Sequence, residues 1–259
     1  MTNISYSALR TFKECPYKYK LLYEDKLKKF SKTEYTIFGT AIHESAEHKC
    51  KDETLNEVDI FTKKFQEEID ELIIKKTESG LPIDTKLIEE MRQQGIKLAP
   101  QLLPSLKQQF GNFTLLNTEE EFLETIHTND KFLFKGYIDL IIKTEDGKIH
   151  VIDWKTSAWG WDSEKKSDPL TTYQLTFYKH FYAQKHKIDP KNIETYFAII
   201  KRTAKKNQME FFRVTSGNKK TQNAFNILNN ALYNIENKRF VKNRLSCTYC
   251  EFRKTKECP

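Results

Sequence analysis

Asp139, Asp153 and Lys155 are the side chains in this sequence whose types and spacing could do chemistry together. Asp139 lies in Gly136-Tyr137-Ile138-Asp139-Leu140-Ile141-Ile142, and Asp153 in Val151-Ile152-Asp153-Trp154-Lys155-Thr156. An ionised carboxylate among Ile, Leu and Val is costly to desolvate unless something pairs with it. Two of them, with an ammonium two residues after the second, ask for a divalent cation. Side chains two apart on a strand share a face, so Asp153 and Lys155 address one site. Carboxylate ligands, a hard metal and a nearby ammonium suit the attack of water on a phosphodiester. The metal lowers the pKa of bound water and binds the scissile phosphate. The lysine orients the nucleophile or offsets the growing negative charge.

The elements that must position these groups are marked in the flanking sequence. Phe132 to Ile142, rich in β-branched and aromatic residues, reads as a strand. Asp146-Gly147 reads as a tight turn, and Ile149 to Trp154 as the returning strand of a hairpin. Glu119 to Ile126 alternates and reads as a further strand, antiparallel to the first. Thr195 to Ile200 and Met209 to Val214 read as two more. Ser7 reads as the N-cap of a first helix that Pro16 interrupts. Apolar residues at three- and four-residue spacing predict helices through 52–111, broken at Gly80-Leu81-Pro82. They predict others over Thr172–Tyr182 and 219–238. The stretch 158–168 reads as a loop, where Trp159 and Trp161 could stack on bases or pack on the protein body. Lys201 and Arg202 lie between two strands, as a solvated turn or as phosphate contacts.

Composition sets bounds. Lys and Arg total 43 against 36 Asp and Glu, a net charge of +7 that permits nucleic-acid binding without requiring it. No apolar run approaches the ~20 residues that span a bilayer. The N-terminus lacks a basic-then-apolar leader pattern, so a cytoplasmic protein is expected. Of five cysteines, Cys247, Cys250 and Cys258 crowd the C-terminal end, Cys15 is N-terminal and Cys50 stands alone as a free thiol. In a reducing compartment Cys-x2-Cys-x7-Cys reads as metal binding, with Cys15 as the fourth thiolate if the ends of the chain meet. Zinc and a [4Fe–4S] cluster both fit four cysteines.

Asp139 followed by Asp153-Trp154-Lys155 resembles the core motif of the PD-(D/E)XK nuclease superfamily. The opening phrase, Ser5-x-Ser7, then Leu9, Phe12 and Cys15-Pro16-Tyr17-Lys18-Tyr19, resembles that of RecB-type nucleases carrying an iron–sulfur cluster. These include the AddB nuclease domain and CRISPR-associated exonucleases. Gly39-x-x-x-His43 and Gln174-x-x-x-Tyr178 resemble two further motifs of that group, the latter pair sharing one helix face.

The resemblance implies an α/β fold: a restriction-endonuclease-like core with a mixed central sheet, a helical insertion, and termini joined by a cluster, all within one nuclease domain over 1–259. It implies a DNA exonuclease using Mg²⁺ or Mn²⁺ held by His43, Asp139, Asp153 and the Trp154 backbone carbonyl. Lys155 would steer the nucleophile, with Gln174 and Tyr178 supporting the site. An acidic residue on the 119–126 strand can assist, and Glu121 is one candidate, against a solvated acidic edge. Cys15, Cys247, Cys250 and Cys258 would hold a [4Fe–4S] cluster. The sequence departs from the pattern at Asp153, where glutamate is common, and in a wide Cys250–Cys258 gap. There is no Gly-x4-Gly-Lys-Ser/Thr, so ATP-driven unwinding would need a helicase or recombination partner. Recombination, repair, phage DNA processing and CRISPR adaptation all fit such an enzyme. A site-specific endonuclease and a non-catalytic DNA-binding module are the rival readings.

Overall fold

The computed structural model describes residues 2–27 and 32–259. The chain opens with β1 (Thr2–Ser5) and turns at once into α1 (Tyr6–Glu14). Ser5 Oγ accepts from the Ala8 amide at 3.2 Å, so Ser5 and not Ser7 caps the helix. Strand pairing fully buries Ile4, and the helix starts directly after it. Then come α2 (Pro16–Tyr19), which runs on into a π-turn at Lys20–Glu24, and α3 (Glu34–Lys51). The 52–111 stretch contains α4 (Glu57–Glu78), α5 (Thr85–Leu98) and α6 (Leu102–Phe110), broken around Gly80-Leu81-Pro82 as expected.

A meander follows, of β2 (Phe113–Ile126), β3 (Asn129–Thr144) and β4 (Ile149–Ser157). The β3–β4 turn holds Gly147 at a φ of 82°, a conformation that costs glycine little. α7 (Ser163–Ser167) occupies part of the stretch read as loop, because Asp162 caps it through the Lys165 amide at 2.7 Å. The chain ends with α8 (Pro169–His186), β5 (Ile193–Lys201), β6 (Met209–Arg213) and α9 (Asn218–Glu236), followed by the cysteine-bearing segment.

The strands form one six-stranded mixed sheet. β2 lies antiparallel to β3 along one side. The other side of β3 is divided: β1 pairs parallel with Phe132–Lys135, and β4 pairs antiparallel with Leu140–Lys143. Gly136 to Asp139 have no ladder partner on that side. The C-terminal ends of β1 and β4 approach this gap from opposite directions. β5 pairs parallel with β4, and β6 antiparallel with β5.

Each face of the sheet carries its own apolar layer. Leu9, Phe177, Phe181 and Leu228 from α1, α8 and α9 pack on Phe134, Ile141, Val151 and Phe197. Phe38, Phe61, Phe65 and Leu102 from α3, α4 and α6 pack on Ile142, Ile152, Trp154 and Ile200. Along β3 the alternation breaks at Asp139. Ile138 belongs to the first layer and Leu140, two residues on, to the second. Residues two apart on a regular strand share a face, so β3 turns over at this aspartate.

Candidate active site

Asp139 sits at the gap in the sheet, and Asp153 is one residue beyond the last β3–β4 pair, Leu140 with Ile152. The Trp154 amide donates to Asp139 Oδ2 at 2.7 Å, so a side chain stands where a strand would have supplied a carbonyl. Asp153 is 2% exposed and points to the α8 side. There Gln174 Nε2 donates to Asp153 Oδ1 at 2.8 Å and to the Tyr178 hydroxyl at 3.1 Å. Lys155 Nζ lies 2.5 Å from Asp153 Oδ2. That contact pairs the charges, but Oδ2 has no well-directed hydrogen bond. His43, on α3, brings Nδ1 to 3.7 Å from Asp139 Oδ2.

The electrostatics show a surplus of negative charge. Burial first, then repulsion from Asp153, pushes the Asp139 carboxyl well above the usual carboxylate range. Burial also raises Asp153, against the pull of Lys155. Burial would lower Lys155, but the two aspartates outweigh it and raise it. Partial burial first, then the Lys155 charge, pushes the half-buried His43 ring down to about 3 and favours a neutral imidazole. Among the described residues no three His, Cys, Asp or Glu side chains are gathered closely enough to hold a metal ion. The donor chemistry nonetheless suits a hard divalent cation. Two buried carboxylates share one ammonium, the repulsion between them raises Asp139, and a neutral ring nitrogen stands beside them.

A cavity of about 460 Å³ takes in His43, Asp139, Asp153, Lys155, Gln174 and Tyr178. It thereby gathers residues that the sequence spaces far apart. The same cavity is lined by Ser5, Tyr6, Ser7, Lys135 and Tyr137, to which sequence reading gave no role in the site. The Ser5-x-Ser7 phrase was the available signal for them. Gly136 is dictated by packing: a Cβ there would meet the Phe122 ring at 2.3 Å. Glu121 is exposed and takes hydrogen bonds from Tyr137, with Lys135 in an ion pair, as a solvated edge would. Its neighbour Glu120 is the buried one, bonded to Lys185 and His186.

Other sequence candidates lie elsewhere. Trp161 is buried with its ring 4.9 Å from that of Phe197, so it packs on the protein body. Trp159 is 76% exposed. Arg202 is not a solvated phosphate contact. Its guanidinium is buried over the Tyr35 and Phe38 rings and donates to Gln94 Oε1 at 2.9 Å, because the helical layer covers this end of β5. Lys201 is directed to Glu210, 3.7 Å away.

Cys15, Cys247, Cys250 and Cys258 all line a second cavity, of about 330 Å³. Cys15 caps the end of α1, and its sulfur accepts from the Asn243 amide at 3.4 Å. Lys18, Arg244 and Arg253 line the same space. Cys50 is remote, packed beside the α3–α6 layer, where burial pushes its thiol up to about 12. No helix among the described residues is long and apolar enough to cross a membrane.

A search of curated proteins gives no match. Among solved structures, one named "Putative exonuclease" from Eubacterium rectale superposes with a TM-score of 0.57 at 12% identity, covering 96% of this chain and 86% of that one. Such a likeness speaks to fold alone. SSO0001 matches at 18% identity over 92% of this chain and 91% of that one, but its TM-score of 0.39 is too low to bear on the fold. The model of the PD-(D/E)XK nuclease superfamily matches residues 3–255, nearly the whole sequence, and the chain belongs to that superfamily.

Proposed function

We propose that this protein is a metal-dependent DNA exonuclease of the RecB-like branch, acting on single strands or DNA ends. The observation that carries the reading is the convergence of His43 from α3, Asp139 from β3, Asp153 and Lys155 from β4, and Gln174 and Tyr178 from α8 on one cavity. Mg²⁺ or Mn²⁺, which this superfamily generally uses, supplies a Lewis acid and a water of lowered pKa when bound. Asp139 and Asp153 provide the negative charge to hold it. His43, kept neutral, offers a ring nitrogen, and the Trp154 carbonyl a further oxygen. Lys155 Nζ, tethered by Asp153, orients the attacking water and meets the charge that grows on the phosphate. Gln174 and Tyr178 fix the Asp153 carboxylate from behind. Trp159, exposed just past Lys155, is free to stack on a base.

Cys15, Cys247, Cys250 and Cys258 hold a [4Fe–4S] cluster in this reading, with zinc as the other fit. Four thiols on one cavity support it. Residues 1–259 act as one nuclease domain of a cytoplasmic enzyme, with unwinding left to a helicase or recombination partner.

Anaerobically purified protein, given Mg²⁺ or Mn²⁺, should release label from linear end-labelled DNA and spare circles. Nicked circles would make it an endonuclease, and no cleavage with either metal would sink the reading. Iron, sulfide and zinc on the same sample decide the cysteine site: about four irons per chain for the cluster, a single zinc for the alternative.

A further inference from the structure

We propose that the surface around the C-terminal cysteines is a second contact for single-stranded DNA, which runs from the catalytic cavity along α1 to Tyr249. The proposal rests on the nuclease reading and extends it to a site remote from the chemistry.

Tyr249 is 97% exposed and Leu245 93%, large apolar side chains held out in water beside the cysteine cavity. They sit in a strongly basic stretch. Residues 238–257 hold seven cations (Lys238, Arg239, Lys242, Arg244, Arg253, Lys254 and Lys256) against Glu251 and Glu257. Lys238 is drawn into an ion pair with Glu24, and Arg244, Arg253, Lys254 and Lys256 are exposed. Exposed aromatic faces interleaved with lysine and arginine are what a single strand needs, since its bases are free to stack and its phosphates carry the charge. A duplex hides its base faces, and a protein partner would have to bring a matching set of carboxylates.

α1 connects this surface to the cavity. Its start, Ser5 to Ser7, lines the catalytic site. Its end is clamped to the basic segment, where the Glu14 carbonyl accepts from Asn243 Nδ2 at 2.8 Å and from Ser246 Oγ at 2.7 Å. Ser7, Arg10 and Lys13 are exposed along the way. Arg10 is close enough for its charge to oppose that of Lys155. A helix of 9 residues is about 13 Å long, the span of about four nucleotides at the ~3.4 Å rise of a stacked strand.

The test is fluorescence anisotropy in EDTA with full-length protein and labelled oligothymidylates of about 20 and about three nucleotides. Tyr249→Ala, alone and with Lys256→Ala, removes only exposed side chains outside the cysteine cavity. The expected result is a loss of affinity for the long strand of about tenfold for the single variant and more for the double, with the short strand unaffected. Cleavage of the long strand should show a raised KM at unchanged kcat. Equal affinity of wild type and both variants for the long strand would overturn the proposal, whether or not the enzyme cuts DNA. Lost binding in the variants of a protein that cuts nothing would keep this surface and sink the nuclease reading instead.

Discussion

Gln174 Nε2 sits 2.8 Å from Asp153 Oδ1, so a helix on one face of the sheet fixes the rotamer of a carboxylate in the middle of β4. The bond matters because Asp153 is buried and its other oxygen lacks a directed partner. Gln174→Leu should keep the fold, since α8 is packed by Phe177 and Phe181. It should cost about 10–100-fold in cleavage or metal affinity, the usual effect of removing a group that orients a ligand. Steady-state kinetics across a Mg²⁺ titration measure it, and unchanged metal dependence would refute the orienting role.

Asp153→Ala should abolish cleavage without lowering the melting temperature of the metal-free protein. The wild-type carboxylate is desolvated, and Asp139 remains to offset the Lys155 charge in the variant, so the loss removes a desolvation penalty along with the bonds. Thermal melts in EDTA beside an activity assay decide this. A folded, active variant would remove Asp153 from the mechanism.

Gly136→Ala should damage the site through packing. The added methyl would lie 2.3 Å from the Phe122 ring, on the stretch of β3 leading to Asp139. Overpacking of this kind costs about 1–3 kcal/mol. Adding Phe122→Leu should restore much of the stability and activity. Failure of the double variant to recover would point to a backbone rather than a ring conflict.

Glu120 sets an acid limit on stability. Burial would raise its pKa, but hydrogen bonds from Lys185, His186 and Asn117 outweigh this and lower it. A carboxylate depressed in the folded state contributes stability above its unfolded pKa, about 4.3, and loses it as pH falls through the lower folded value. Glu120→Gln should therefore lose about 1–3 kcal/mol at neutral pH and show a flatter decline in acid. Urea unfolding from pH 7 to pH 3 tests it, and parallel curves for the two proteins would refute it.

Cys258→Ala should lower metal content and melting temperature together while leaving Asp139 and Asp153 chemically competent. Metal analysis and calorimetry on the same sample read both. Full metal loading with normal melting would show that Cys258 is not a ligand.

Much of this was legible before any fold was seen. The β3–β4 hairpin carries its own turn signal in Asp146-Gly147, and α8 its own periodicity, so both elements follow from local sequence. β1 was not legible: Thr2-Asn3-Ile4-Ser5 has no strand pattern and is a strand only because β3 offers it an edge. The same long-range cause moved the helix cap from Ser7 to Ser5. Arg202 looks like a surface residue in sequence and Trp161 reads equally as a base-stacking or a packed one; both become interior only when the layers on the two faces of the sheet cover them. Tyr6, lining the cavity with its hydroxyl buried and unpartnered, carries no local signal of either property.

The divided edge of β3 has a consequence for the timing of motion. Among the described residues β1 pairs with β3 alone, over Thr2–Ser5, whereas β4 is flanked on both sides. Local opening is cheapest where contacts are few, so the Ser5–Ser7 wall of the cavity is the part of the sheet most able to swing away while the carboxylates stay in place. What opposes that swing is the far end of α1, pinned at Glu14 and Cys15 by the C-terminal segment. The cysteine-bearing segment and the wall of the catalytic cavity are thus joined through one short helix.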